Sequence, residues 1–81
     1  MAEITSILSP LPGIFYRKPS PEMPEFVKVG DQVKPGDVIG LIEVMKNFYE
    51  IKAEEAGIVE EFTVNNEELV DAGQELVKLK K

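Results

Sequence analysis

Val38-Ile39-Gly40-Leu41-Ile42-Glu43-Val44-Met45-Lys46-Asn47-Phe48-Tyr49-Glu50-Ile51 lies at the middle of the 81-residue chain, and its reading decides the fold. It opens on an unbroken apolar run, Val38 to Ile42, as expected of a strand inside a core. A second run, Phe48 to Ile51, follows a few residues later, so that residues 43–49 read as the connection of a hairpin. Tight hairpins favour Gly, Asn or Asp, because their central residues need positive φ. Here the tip falls on Met45-Lys46, neither of which helps a turn, and Asn47 is the only natural turn former. Poor turn residues at a tight tip cost stability, and such costs tend to persist where the tip has a task. A lysine placed there holds its ammonium in water with its stem unencumbered. The bland alternatives are an ordinary solvated charge for Lys46 and a gap-filling core residue for Met45.

Outward from the centre, short apolar runs alternate with turn residues: Pro12-Gly13, Gly30-Asp31, Pro35-Gly36-Asp37, Ala56-Gly57, Asn65-Asn66 and Ala72-Gly73. This spacing predicts an all-β sandwich or barrel. Ile58 to Val64 reads as a further strand. Leu76-Val77-Lys78-Leu79-Lys80 reads as another, alternating cleanly with its leucines inward. The stretch Asn66 to Ala72 has a mild helical leaning through Glu67-Glu68-Leu69, worth at most a turn or two.

The two halves resemble each other. Pro12-Gly13-Ile14-Phe15 answers Ala56-Gly57-Ile58-Val59 at an offset of 44, and Val33-Lys34-Pro35-Gly36-Asp37-Val38-Ile39 answers Val70-Asp71-Ala72-Gly73-Gln74-Glu75-Leu76 at an offset of 37. The alternative is a chance coincidence of two glycine turns. If the repeat is real, the first half holds seven extra residues between Phe15 and Val33. Lys18-Pro19-Ser20-Pro21-Glu22-Met23-Pro24 is the candidate, because its three prolines cannot supply the donors of a central strand and would stiffen a projecting loop. Each half alone would expose an apolar face. Pairing the halves about a pseudo-two-fold buries both, and residues 43–49 become the hairpin that links them.

Composition narrows the chemistry. There is no cysteine and no histidine, which removes disulfides, thiolate chemistry, Ser-His-Asp and Cys-His catalysis and the usual soft metal ligands. No carboxylate cluster has the spacing of a calcium loop. No catalytic and no metal-binding residue is assigned, and the composition argues against a self-sufficient enzyme. A formal charge of −6 and a pI near 4.6 argue against nucleic acid and anionic membranes as partners. Nine acidic residues lie between Glu50 and Glu75 against one basic residue, Lys52. They form either a solvated face or a field that steers the chain toward basic rims on partner proteins. No apolar run approaches the roughly 20 residues of a membrane span, and no secretory signal is evident. The expectation is one small cytoplasmic domain over residues 1–81.

Taken together, the midpoint lysine behind Met45 and the proline-rich insertion resemble the biotinyl domain of biotin carboxyl carrier proteins, of the acetyl-CoA carboxylase type. Members carry Glu-Ala-Met-Lys-Met or Glu-Val-Met-Lys-Met at the hairpin, where this chain has Glu43-Val44-Met45-Lys46-Asn47. They begin with a stretch like Ser9-Pro10-Leu11-Pro12-Gly13-Ile14-Phe15-Tyr16-Arg17 and insert a projecting thumb, here Lys18 to Pro24. They continue like Val29-Gly30-Asp31-Gln32-Val33 and Pro35-Gly36-Asp37. The resemblance spans roughly residues 6 to 80.

The resemblance implies a flattened barrel or sandwich of two four-stranded antiparallel sheets with pseudo-two-fold symmetry. It implies covalent biotin on Lys46, attached by a biotin protein ligase through biotinyl-adenylate. The ligase would have to supply a base, since amines of lysines in water are protonated at neutral pH. It further implies a non-catalytic carrier that moves a carboxyl group from a biotin carboxylase to a carboxyltransferase, acetyl-CoA being the expected acceptor. The thumb would contact biotin or a partner enzyme; read without the resemblance, it is a proline-stiffened surface loop.

Two departures stand out. Asn47 replaces the usual methionine, which should ease the turn. The chain also starts about a dozen residues before Gly13, without the N-terminal region and Pro/Ala-rich linker common in such carriers. The expectation is therefore either an excised domain or a small stand-alone carrier. Rival readings are a stand-alone carrier of another biotin-dependent carboxylase, such as a urea- or oxoproline-linked one; a lipoyl carrier, whose hairpin usually reads Asp-Lys without a thumb; and an interaction module with Lys46 unmodified.

Overall fold

The computed structural model describes residues 3–81; of the expected span 1–81, Met1 and Ala2 lie outside the described residues. Eight strands follow one another: β1 (Ile4–Leu8), β2 (Gly13–Tyr16), β3 (Gln32–Val33), β4 (Val38–Val44), β5 (Asn47–Lys52), β6 (Gly57–Phe62), β7 (Glu68–Val70) and β8 (Glu75–Lys80). They form two four-stranded antiparallel sheets, one ordered β1-β8-β6-β3 and the other β5-β4-β2-β7. Among the described residues no helix is long and apolar enough to cross a membrane.

The mild helical leaning of residues 66–72 is overruled. Glu68–Val70 is strand β7, with Leu69 opposite Ile14 and Val70 opposite Gly13. A segment this short cannot repay helix nucleation, whereas pairing with β2 satisfies its backbone and buries Val70.

The repeat is visible bond by bond. Gly36 N–H donates to Ala53 O at 2.8 Å, and Gly73 N–H to Ser9 O at 2.7 Å; both glycines have left-handed backbones, with φ of 93° and 84°. Gly30 N–H donates to Val59 O, and Glu67 N–H to Phe15 O. The Asp31 and Asp37 carboxylates accept from the backbone N–H groups of Lys28 and Lys34, as the Glu68 and Gln74 side chains accept from Asn65 and Asp71. Strands β1, β2, β3 and β4 thereby correspond to β5, β6, β7 and β8. The offset is 44 up to Phe15 and 37 from Lys28 onward, so the seven extra residues fall between those positions.

The core lies between the sheets. Phe15, Ile39 and Ile42 from one sheet and Val33, Val59, Leu76, Val77 and Leu79 from the other are all essentially inaccessible. Gly40 is required by packing, because a Cβ there would stand 2.5 Å from the Phe15 ring. Strand β8 does not alternate cleanly. Leu76 and Leu79 are three apart and would face opposite ways in a regular strand. A register shift leaves Leu76 without a partner on β1, between Val77 opposite Ile7 and Glu75 opposite Leu8. This bulge turns both leucines inward. Ile39, the corresponding residue of β4, sits at the same kind of shift opposite β5.

Candidate functional site

Strands β4 and β5 are joined by two residues. Val44 pairs with Asn47, and the turn consists of Met45 at φ 51° and Lys46 at φ 68°. A two-residue connection must follow the right-handed twist of its strands, which demands positive φ at both central positions. For side chains with a Cβ this costs on the order of 1–3 kcal/mol per residue. The expectation that Asn47 eases the turn is corrected: Asn47 is the first residue of β5, paired in the ladder, and the left-handed backbone falls on its two neighbours. Met45 is 89% exposed and Lys46 is exposed beside it. The ε-amine stands in water on a short, hydrogen-bonded hairpin, a placement suited to entering another protein's cleft. A primary amine presented this way fits a group held by a single amide bond.

The base of the hairpin is anchored by residues from both sides of the tip. Val44 packs against the core. Glu43 is half-buried and accepts a hydrogen bond from the Tyr16 hydroxyl at 2.8 Å. The Tyr16 ring also lies 6.0 Å from the Phe48 ring, tilted by 54°. Tyr16, on β2, therefore touches β4 and β5 at once. The Glu43 carboxylate holds the Tyr16 hydroxyl above its ordinary pKa, with burial adding to the effect, because ionisation would set two anions side by side.

The insertion leaves β2 immediately after Tyr16. Lys18 is half-buried, and Pro19, Ser20, Pro21, Glu22, Met23 and Pro24 are exposed. Met23 N–H donates to Ser20 O at 3.1 Å, making a turn within the loop. Its base is closed by Phe26 N–H donating to Arg17 O at 2.9 Å and by an Arg17–Glu25 ion pair at 3.1 Å. The Arg17 guanidinium lies 3.7 Å from the centre of the Phe62 ring, and Arg17 N–H donates to Asn66 Oδ1. Charge, ring and backbone thus fix both ends of the loop.

Sequence reasoning gave Tyr16, Arg17, Glu25 and Phe62 no role. Their meetings depend on strand register and on a contact between the two halves, neither of which leaves a local signal. The acidic stretch from Glu50 to Glu75 is mostly solvated; among the described residues Glu50 pairs with Lys52, Glu55 with Lys81 and Glu61 with Lys78.

The fold thus presents an exposed lysine at the midpoint of a duplicated two-sheet sandwich. The sequence profile of the family described as "Biotin-requiring enzyme" matches residues 5–79, and the chain belongs to that family. Among its relatives is the biotin carboxyl carrier protein of acetyl-CoA carboxylase from Streptococcus pyogenes serotype M6, 42% identical over 99% of this chain and 48% of that protein. The proteins of the same name from Porphyra purpurea and Chlamydia muridarum are 46% and 47% identical, over 91% and 93% of this chain and 47% and 46% of their own lengths. The chain thus spans about half the length of the curated relatives it matches. Among solved structures, urea carboxylase from Kluyveromyces lactis matches 95% of this chain and 6% of its own, with a TM-score of 0.77 and 26% identity.

Proposed function

We propose that Lys46 is the covalent attachment point of biotin and that the chain, as a single domain over residues 1–81, carries a carboxyl group in an acetyl-CoA carboxylase. The observation that carries this reading is the solvent-exposed Lys46 on a left-handed two-residue turn, behind Met45, in a chain of the biotin-requiring family. The Lys46 ε-nitrogen, after losing a proton to a base of the biotin protein ligase, would take the biotinyl group from biotinyl-adenylate, the amide C–N bond forming as the acyl–phosphate bond breaks and AMP leaves. Bound there, biotin supplies a ureido nitrogen that accepts and releases a carboxyl group. Glu43, Tyr16 and Phe48 hold the hairpin base, so that the lysine is presented from a fixed position. Tethering makes each visit to a partner effectively intramolecular, which raises the local concentration of the arm without new contacts.

The ATP, bicarbonate and acyl-CoA sites belong to a biotin carboxylase and a carboxyltransferase, the chain itself catalysing nothing; the setting is the cytoplasm. The loop over Lys18–Pro24 contacts the arm or a partner. Its proline content supports this, because a stiffened loop loses little entropy on contact.

Coexpression with a biotin protein ligase tests the centre of the proposal by intact mass and avidin binding. The wild type should gain one biotin and Lys46→Arg none. An unmodified wild type, or an adduct retained by Lys46→Arg, would overturn it, and a lipoyl adduct would move the chain to the lipoyl carriers. Carboxyl transfer measured with acetyl-CoA, other acyl-CoA thioesters and urea identifies the acceptor. Unchanged transfer after deletion of Pro19–Pro24 would remove the loop from the function.

A further inference from the structure

The chain contains three methionines and no cysteine, so thioethers are its only oxidisable sulfur. Met23 and Met45 are among the described residues, 52% and 89% exposed. Methionine ordinarily fills gaps in a core, where its sulfur is shielded from oxidants in water. Met45 is instead the most exposed large hydrophobic side chain among the described residues, and it has no place in the core cluster against which Val44 packs. The hairpin sets this position. Val44 pairs with Asn47, so Met45 and Lys46 alone form the turn that stands beyond the last ladder pair, with φ of 51° and 68°.

Neighbourhood gives the sulfur a consequence. Met45 is bonded directly to Lys46, so a cleft that admits the ε-amine closes around the thioether as well. A thioether is only a weak acceptor and enters an apolar cleft at little cost. Oxidation makes the same side chain polar, and its sulfoxide oxygen would enter a cleft shaped for a thioether without a hydrogen-bond partner.

The geometry points to Met45 as a reversible oxidation site that gates the loading of Lys46: a hydroperoxide converts its thioether to the sulfoxide, and the oxidised chain is a poor substrate for the biotin protein ligase. The inference rests on Lys46 being the acceptor. In the oxidation step the sulfur lone pair attacks a peroxide oxygen, and the S–O bond forms as the O–O bond breaks. Hydrogen peroxide leaves, after proton transfer, as water; the sulfur is oxidised by two electrons and the peroxide is reduced. Methionine sulfoxide reductases reverse the change, so a chain oxidised before it is loaded is held back rather than lost. Met23, exposed on the proline-rich loop and outside the hairpin, supplies an internal comparison.

The unloaded chain treated with hydrogen peroxide, quenched and mapped by peptide mass tests this. Initial rates of biotin transfer by an untreated, purified ligase are compared with those of the untreated sample of the same variant. In the wild type Met45 should gain one oxygen at about the rate of free methionine, and kcat/KM of the oxidised chain should fall by about tenfold or more. Methionine sulfoxide reductases of both epimer specificities should restore mass and rate together. Met45→Leu should keep its own untreated rate after peroxide, and Met23→Leu should lose as much as the wild type. Thermal melting should be unchanged by oxidation of Met45, and a lowered midpoint would assign the loss to the fold and overturn the gate. Full oxidation of Met45 without loss of rate, protection of Met45 from peroxide, or equal losses in Met45→Leu and the wild type each overturn the inference while Lys46 stands as the acceptor. An untreated wild type that takes no biotin overturns both.

Discussion

Two places in the molecule are related by the duplication and finished differently. In the sheet that holds both ends of the described chain, Lys81 N–H donates to Glu3 O at 2.9 Å. In the other sheet the corresponding pair is Val44 with Asn47, and Met45-Lys46 bridges them. Both halves make the pairing at this position. Where the turn exists, two residues with Cβ atoms take left-handed backbones that glycine would adopt freely. Equivalent places on the two sheets also differ in residue type, Glu43 against Lys80 and Leu69 against Gln32. Inside, the halves share one core. Architecture is what the halves have in common, and the hairpin end is where they part.

Four tests would break or sharpen that contrast. The largest effect is expected in the shared core. Phe15→Ala should cost about 3–5 kcal/mol, and Val59→Ala, its counterpart in the repeat, should cost less because fewer atoms are removed. Denaturant titration checks this, and two separate transitions would show that the halves fold independently. Next, replacing Met45-Lys46 by Asn-Gly should raise stability by about 1–2 kcal/mol while abolishing biotin acceptance. No gain in stability would mean that the tip is not strained.

Third, Tyr16→Phe should lose about 1 kcal/mol with its hydrogen bond to Glu43. The Tyr16 hydroxyl has a raised pKa in the folded state, so the folded chain holds this proton more tightly than the unfolded one. Its contribution is full below the unfolded value of 10.0 and is lost as pH rises through the higher folded value. Melting of the wild type should therefore fall more steeply above pH 10 than that of Tyr16→Phe, and parallel profiles would refute the coupling. The smallest effect is at Glu67, which sits at φ 66° where its counterpart Gly30 sits at 96°. Glu67→Gly should stabilise by up to about 1 kcal/mol, read from the denaturation midpoint.

Much of this was legible in local sequence. The Val38–Ile42 run, the glycine turns and the two offsets predict the strands, the duplication and the midpoint hairpin, because strand burial and turn backbones select residue types directly. No local signal marks strands β1, β2, β3 and β7 as strands. They are short or mostly exposed, and their backbone is held by partners distant in sequence. The bulges at Ile39 and Leu76 were hidden for a related reason: each run reads as continuous apolar sequence, and only the facing strand shows that a residue is skipped.

At the candidate site the division is similar. The chain alone singles out Lys46, since Met45-Lys46 is chemically out of place in a turn and stands at the centre of the repeat. Tertiary structure decided that Met45 and Lys46, rather than Asn47, take the left-handed backbone, because the two-residue loop is set by the pairing of Val44 with Asn47. It also decided that Tyr16 reaches Glu43 and Phe48 and that Arg17 closes the proline loop over Phe62. Residue type and spacing fix what a local backbone will do. Which side chains meet across strands depends on register, and register is settled only when both sheets close on one core.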